Sequence, residues 1–179
     1  MAVENVQEAM RASDLFSHIL LKALSLHLID EISEHQVSLA QLQTIRYLRY
    51  HRNILMGTLA TGLSISYPSA TNMVKRLERR GLAKRQVNPN DKREVEVSLT
   101  EAGRELADRM ERERLERLHG VLSRMEIGDR DALVRGLRAF VQAAIIGRGA
   151  VAEQACLHCG ELASDICPVA SCLRSHVDP

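Results

Sequence analysis

The stretch "SYPSATNMVKRLERRGLAKRQVNPNDKREVEVSLT", Ser66–Thr100, changes its apolar period at Gly81. Before this glycine, apolar residues recur at the three- and four-residue spacing of one helix face. They are Ala70, Met73, Val74 and Leu77. After the glycine, "LAKRQV" and "EVEVSL" alternate as strands do, and "NPNDKR" between them is rich in turn-forming residues. The stretch therefore predicts a helix followed by a small hairpin.

Capping residues stand at both ends of this predicted helix. Ser66 is a suitable N-cap, and Pro68 fits the first turn, where its missing amide has no partner to lose. Gly81 suits a left-handed C-cap because it has no side chain. Thr100 is placed to cap the helix that follows the hairpin.

Helical periodicity flanks the stretch on both sides. We predict helices over Val3 to Ser33, Leu39 to His51, Ile54 to Thr61, Thr100 to about Met125, and from near Asp129 to Gly147. In the helix after Thr100 the expected inward positions are Leu106, Met110, Leu115, Leu118, Val121 and Leu122. The last helix carries Leu133, Leu137, Phe140, Val141 and Ala144 on one face. The predicted fold class is mainly α with a small β-wing, a winged helix-turn-helix. The wide apolar surface of the first helix favours a second copy of the chain as its neighbour.

The length of 179 residues fits one compact domain with an appendage. We assign residues 1–147 to the winged helix-turn-helix and dimerisation domain, with a DNA-binding core at 38–100. Residues 148–155 form a linker, and residues 156–179 form a cysteine-rich tail. The longest apolar run is broken by His18, Lys22 and His27, so no membrane partner is expected and we place the protein in the cytoplasm.

Basic residues are concentrated around the predicted helix and hairpin. The whole chain carries a net charge of only +1, but Tyr67 to Arg93 holds eight basic residues against two acidic ones. Residues opposite the apolar helix face are donors suited to base edges and phosphates. The predicted DNA-binding residues are Ser66, Ser69, Asn72, Lys75, Arg76, Arg79, Arg85, Lys92 and Arg93, with Asp91 orienting Arg93 for a narrow minor groove. Double-stranded DNA is the expected partner.

The residues from Leu59 to Gly103 closely resemble the MarR family of bacterial transcriptional regulators. The most specific parts are "RLERRGL", the wing "NPNDKR" with its Asp-x-Arg, and "LTEAG" at the start of the next helix. The likeness covers roughly residues 10 to 147. It implies a homodimer joined through N- and C-terminal dimerisation helices, two recognition helices in successive major grooves, and usually repression of nearby genes. It also implies that a small-molecule effector is a candidate partner, while peroxide sensing through an N-terminal cysteine does not fit, since no cysteine precedes Cys156.

A symmetric dimer predicts symmetric DNA. Dimers of such motifs bind half-sites about one helical turn, ~34 Å, apart, so we expect an inverted-repeat, pseudo-palindromic operator.

Catalysis is not expected. No Ser-His-Asp spacing, phosphate loop or paired-carboxylate cleft stands out in the sequence.

All four cysteines stand in the tail, at Cys156, Cys159, Cys167 and Cys172. Four thiolates within seventeen residues can surround a tetrahedral ion, and metal binding would supply much of the order of so short a segment. Zinc is favoured. Because Pro168 follows Cys167, an iron–sulfur cluster is an alternative, and a metal-free dithiol switch is another.

The cysteine tail is compatible with two functions of the protein. In the first, a four-cysteine metal or redox site modulates the DNA affinity of a repressor. In the second, the tail is a structural zinc module for protein contacts, and a small ligand elsewhere regulates the protein. Zinc held by four cysteines keeps no open position for water, which also weighs against an enzyme.

Overall fold

The structure, a computed structural model, describes residues 3–21 and 37–145. The helices are α1 (Val3–Leu21), α2 (Leu39–Tyr50), α3 (Met56–Gly62), α4 (Tyr67–Arg79), α5 (Glu101–Leu122) and α6 (Ile127–Ile145). The strands are β1 (Ile54–Leu55), β2 (Ala83–Val87) and β3 (Val95–Leu99). The predicted linker and cysteine tail lie outside the described residues, as does the predicted first helix beyond Leu21. No helix in the described ranges is both long and apolar enough to cross a membrane.

Side-chain caps start α2 and α4 where the sequence predicts these helices. Ser38 and Gln41 form a capping box on α2, in which the Ser38 amide donates to Gln41 Oε1 at 2.8 Å. Ser66 caps α4 by accepting a hydrogen bond from the Ser69 amide at 3.3 Å. The prediction of Ser66 as an N-cap is therefore confirmed.

The change of period at Gly81 is also confirmed. Gly81 has φ +70°, a left-handed conformation that glycine adopts without strain. Strands β2 and β3 then pair antiparallel, with Ala83 opposite Leu99 and Val87 opposite Val95. The hairpin thus returns the chain to the end of α4, where the Thr100 amide donates to the Leu82 carbonyl at 3.1 Å.

The start of the predicted helix at Ile54 is wrong. Ile54 and Leu55 form β1, which pairs with β3 and makes a three-stranded sheet in the order β1-β3-β2. Helix α3 begins only at Met56. A two-residue strand is too short to show an alternating period, so the apolar pattern merged it with the helix that follows.

The core lies between α2, α3, α4, the sheet and the first turns of α5. Ala70, Val74 and Leu77 of α4 are completely buried against this core. Its other fully or nearly fully buried apolar side chains include Ile45, Leu48, Leu59, Leu82, Val97, Leu99 and Leu106. Each large side chain buried in this way stabilises the fold by roughly 1.5–3 kcal/mol.

The distal part of α5 departs from the predicted burial. Leu115 and Val121 were expected to face inward, but both are exposed in the single chain, whereas Leu106 and Met110 are buried as predicted. Leu137 and Phe140, on the predicted apolar face of α6, are also exposed, Phe140 by 68%. Helix α5 also ends at Leu122, before Met125. An apolar stripe predicts that a helix face will be covered, but it does not say whether the same chain covers it.

Gly103 provides a test of how tightly α5 meets the hairpin. A Cβ at Gly103 would overlap the Leu82 carbonyl oxygen, whereas a Cβ at Gly120 of the same helix would meet nothing within 4 Å. We expect Gly103→Ala to lower the free energy of unfolding by about 1–3 kcal/mol because of overpacking. Gly120→Ala should leave it unchanged or raise it by up to ~1 kcal/mol, since alanine favours helix. Urea unfolding at equal protein concentration measures both, and equal stabilities would contradict the close approach.

Candidate nucleic-acid interface

One face of α4 is polar and exposed while the opposite face is buried. Asn72, Lys75, Arg76 and Arg79 are exposed, together with Ser69 in the first turn. The separation follows from the helical period, because Ala70, Val74 and Leu77 anchor the other side in the core. The predicted orientation of α4 is thus confirmed, and its free face carries an amide and three cations.

A shallow groove separates α4 from strand β2. Its lining residues are Asn72, Lys75, Arg76, Glu78, Arg79 and Arg85. Glu78 is the acid of this groove, and both of its oxygens accept hydrogen bonds from Arg85. The Arg85 amide lies 3.1 Å from Glu78 Oε1, and Arg85 Nε lies 2.7 Å from Glu78 Oε2. This pair joins the helix to the hairpin.

Arg85 therefore has a different setting from the other predicted DNA-binding residues. Its guanidinium is ion-paired with Glu78, and its side chain is about one-third exposed. Lys75 and Arg76 have no such bond within the described ranges. The structure places Arg85 beside the donors of α4, in a position that fixes the spacing between helix and wing.

The tip of the hairpin is built by side chains that bond to its own backbone. The Asn90 amide donates to Asn88 Oδ1 at 2.9 Å, and the Arg93 amide donates to Asp91 Oδ1 at 2.9 Å. Asn88 Nδ2 also donates to Glu94 at 2.9 Å across the neck of the turn. The tip is thus a folded turn with fixed hydrogen bonds.

Arg93 projects from this turn. Its side chain is 94% exposed, and its Nε lies 3.8 Å from Asp91 Oδ1. Asp91 therefore lies close to both the backbone amide and the guanidinium of Arg93, and its role in orienting Arg93 on DNA stays a prediction. Lys92 is exposed beside it.

Ser66 serves chiefly as the cap of α4. Its hydroxyl accepts from the Ser69 amide and lies 2.8 Å from the Ser69 hydroxyl. The hydroxyls of Ser66 and Ser69 therefore form one exposed polar pair at the N-terminal end of the helix.

Sequence reasoning missed the roles of Glu78, Asn88 and Glu94. Glu78 counted only as a charge that opposes the basic residues, although it holds Arg85. A signal was present, since a glycine turn and an antiparallel strand after α4 bring residues near its end back beside β2. Asn88 is the first residue of the predicted turn, and Glu94 directly follows its last residue.

The predicted metal ligands are not brought together by the described part of the structure, because Cys156, Cys159, Cys167 and Cys172 lie outside it. Among residues 3–21 and 37–145, no group of three histidine, cysteine, aspartate or glutamate side chains could hold a metal ion.

A basic helix face beside a basic hairpin, both anchored to one small core, defines a winged helix-turn-helix protein that binds DNA. Residues 37–95 match the MarR family. An uncharacterised HTH-type transcriptional regulator of Mycobacterium bovis, Mb0904, is 32% identical over 126 residues, which is 70% of this chain and 87% of the relative. The chain belongs to the MarR family and is a DNA-binding transcriptional regulator.

Solved structures share the fold. RV1404 from Mycobacterium tuberculosis superposes with a TM-score of 0.68 at 28% identity, covering 80% of this chain and 94% of that protein. Streptococcus pneumoniae FabT, solved in complex with DNA, superposes with a TM-score of 0.66 at 18% identity, covering 76% and 96% of the two chains. The arrangement of helices and wing is therefore that of known members of this fold.

The wing tip allows two opposing effects of Asp91 to be separated. If its charge mattered most, Asp91→Ala would strengthen DNA binding by removing a negative charge near phosphates. We expect weaker binding by roughly fivefold, because the hydrogen bond that shapes the turn is lost, and roughly tenfold weaker binding for Arg93→Ala. Fluorescence anisotropy with a duplex selected from a random library measures both at constant salt.

The matched control is Arg112→Gln, which removes an exposed cation from α5. The affinity of the Arg112→Gln variant for the selected duplex should equal that of the wild type. Tighter binding by Asp91→Ala would show that Asp91 acts only as a repelling charge.

Proposed function

We propose that the protein is a homodimeric repressor that binds an inverted-repeat operator, with α4 of each protomer in the major groove. The observation that carries this proposal is the exposure of Asn72, Lys75, Arg76 and Arg79 on one face of α4. A helix of this width fits the major groove, and its amide and guanidinium groups have the geometry to bond adenine and guanine edges.

The donors of α4 divide into two roles. Asn72 and Arg76 can form bidentate bonds to base edges, so they are our candidates for sequence reading. Lys75 is a flexible point charge, which suits a phosphate. Contacts of the first kind give specificity, and contacts of the second give affinity that depends on salt.

The wing supplies a second contact. Arg93 extends from a turn that is fixed by Asp91, so little conformational freedom is lost when its guanidinium enters a minor groove. Narrow minor grooves concentrate negative potential and attract arginine. The wing thus responds to groove width, while α4 reads base edges.

Exposed apolar side chains support the homodimer. Val6, Met10, Leu15 and Ile19 of α1 are all exposed in the single chain, as are Ile127, Val134, Leu137 and Phe140 of α6. Apolar faces of this extent on two helices mark an interface with another protein. A second copy of the chain would cover them and would place two α4 helices in a symmetric arrangement.

A dimer bound across a promoter would block transcription by occupying the site, which is the usual outcome that the family resemblance implies. The resemblance also implies a small-molecule effector that alters DNA affinity. Such an effector acts only through its different affinities for the two states of the dimer.

The proposal also includes a metal or redox site in the cysteine tail, residues 156–179. We favour zinc at Cys156, Cys159, Cys167 and Cys172, with an iron–sulfur cluster and a dithiol switch as the alternatives. The support is the clustering of all the cysteines after α6, a helix with an apolar exposed face. A metal or redox change there could shift the spacing of the two DNA-binding lobes. The alternative is a structural zinc module, with regulation by a ligand elsewhere.

Selection of duplexes from a random library tests the proposed DNA reading. We expect an inverted repeat with half-sites about one helical turn, ~34 Å, apart. Asn72→Ala should relax selectivity at one base position in each half-site by about 1–3 kcal/mol. Lys75→Ala should weaken binding equally on all sequences and reduce the salt dependence by about 0.9 per protomer. Arg112→Gln should change neither, and recovery of no preferred sequence by the wild type would overturn the proposal.

Metal analysis and absorption of protein purified without oxygen test the tail. We expect one zinc per chain and no visible absorption, whereas a brown sample containing iron and sulfide would identify the cluster. Replacing Cys156 and Cys159 with serine should abolish metal binding, because two of four ligands are lost. If operator affinity is then unchanged with and without metal or oxidant, the tail is a structural module and the regulatory version is wrong.

A further inference from the structure

An exposed aromatic side chain stands at the start of α4, outside the predicted DNA-binding set. Tyr67 is the first residue of this helix, and 52% of its surface is exposed. The bonds from Cα to Cβ in a helix tilt toward its N-terminus, so a side chain at the first position extends past that end. A single exposed tyrosine is common on protein surfaces. The surroundings of Tyr67 are what point to a function.

The backbone that carries Tyr67 is fixed on both sides. Ser66 caps the first turn, and the Ala70 amide donates to the Ser66 carbonyl at 2.9 Å. Ala70 is completely buried, which anchors the turn to the core. A tyrosine side chain has only two rotatable bonds, so its ring makes a contact at a low cost in conformational entropy. The ring of Tyr67 is thus presented from a rigid base.

The hydroxyl groups around Tyr67 already have partners within the helix. The Thr71 hydroxyl donates to the Tyr67 carbonyl at 2.9 Å, and the hydroxyls of Ser66 and Ser69 lie 2.8 Å apart. Because the Thr71 hydroxyl is bonded to the backbone, its methyl group is the part left for an outside contact. Pro68 is exposed and contributes an apolar ring without an amide hydrogen. We call Tyr67, Pro68 and Thr71 the apolar tip of α4.

The apolar tip is continuous with the polar face of α4. Asn72 directly follows Thr71, and Lys75 lies about one turn further along the same side. The first turn of α4 contains no acidic residue, so it has no carboxylate to repel phosphates. In helix-turn-helix proteins the N-terminal residues of the recognition helix contact base edges. A major groove that holds Asn72 and Lys75 would therefore also receive the apolar tip.

From this arrangement we infer that Tyr67 reads the C5-methyl group of one thymine in each half-site, which rests on the proposed entry of α4 into the major groove. This methyl is the apolar group on the major-groove edge of a base pair, and it distinguishes thymine from the other bases. Packing the aromatic ring against it removes apolar surface of both from water. Tyr67 is thus a specificity-determining residue that acts without a hydrogen bond, beside the amide of Asn72 and the guanidinium of Arg76.

Deoxyuridine tests the contact from the side of the DNA, because it lacks the methyl group but pairs as thymine does. In the duplex that the wild type selects, symmetric pairs of thymines, one in each half-site, are replaced in turn. Fluorescence anisotropy measures the affinity of the full chain at constant salt. We expect one pair to weaken binding about fourfold for each methyl lost, or roughly tenfold or more for the pair. If no pair weakens binding by more than about twofold, the inference is wrong.

Variants then assign the methyl effect to Tyr67. Tyr67→Ala should bind the thymine duplex and the deoxyuridine duplex within about twofold of each other, whereas Tyr67→Phe keeps the ring and should retain the wild-type ratio. Lys75→Ala is the matched control. It should weaken binding of both duplexes by the same factor, because it removes a charge and leaves the ring in place.

Two results from these variants would contradict the inference. A methyl effect that persists in Tyr67→Ala would assign the thymine to another residue. Loss of affinity in Tyr67→Phe equal to that in Tyr67→Ala, with no methyl effect left in either, would make the tyrosine hydroxyl the contact. The deoxyuridine measurement on the wild type needs no variant, so it decides the matter even if Tyr67→Ala fails to fold.

Selection from two random libraries separates this inference from the proposed function. One library contains thymine, and the other contains deoxyuridine throughout. We expect both to yield an inverted repeat, with the base preference at one position of each half-site relaxed only in the deoxyuridine library. Identical preferences in both libraries would overturn the role of Tyr67 and leave the proposed function in place. Recovery of no preferred sequence from the thymine library would overturn both.

Discussion

The complete burial of Ala70, Val74 and Leu77 fixes the rotation of α4, and the interface depends on that rotation. Consecutive residues of a helix are about 100° apart, so turning α4 by one position would bring Lys75 toward the core and expose Val74 to water. Burying an unpaired ammonium costs far more than exposing a valine. The hydrophobic contacts of one face therefore determine which side chains the other face presents.

Charge distribution is the second constraint on this lobe. Cations close together repel one another in the free protein, yet they must be close together to contact a duplex. Glu78 relieves part of the repulsion by pairing with Arg85, and the same contact ties β2 to the end of α4. Asp91 acts similarly at the wing tip, where it fixes the turn that carries Arg93. The two acids thus stabilise the arrangement of the basic residues around them.

Most of this lobe could be predicted from sequence because its signals are local. The cap at Ser66, the left-handed Gly81 and the alternation in both strands each depend on residues only a few positions apart. Strand β1 could not be predicted, since two residues carry no period and their partners, Val97 and Glu96, lie over forty positions away. The Glu78–Arg85 bond depends on packing between elements, and the spacing of residues along the chain does not reveal it.

The exposed faces of α1 and α6 show a different limit of sequence reasoning. The periodicity of Leu137 and Phe140 predicts a face to be covered, and neither side chain is covered within the described chain. The spacing of apolar residues along a helix indicates how much apolar surface is buried away from water. It does not indicate whether the same chain or another molecule covers that surface. If a second copy does so, the helices that set the distance between the two α4 helices are stabilised by the dimer itself. Changes near those helices would then act on DNA binding through the spacing of two recognition helices whose own contacts stay the same.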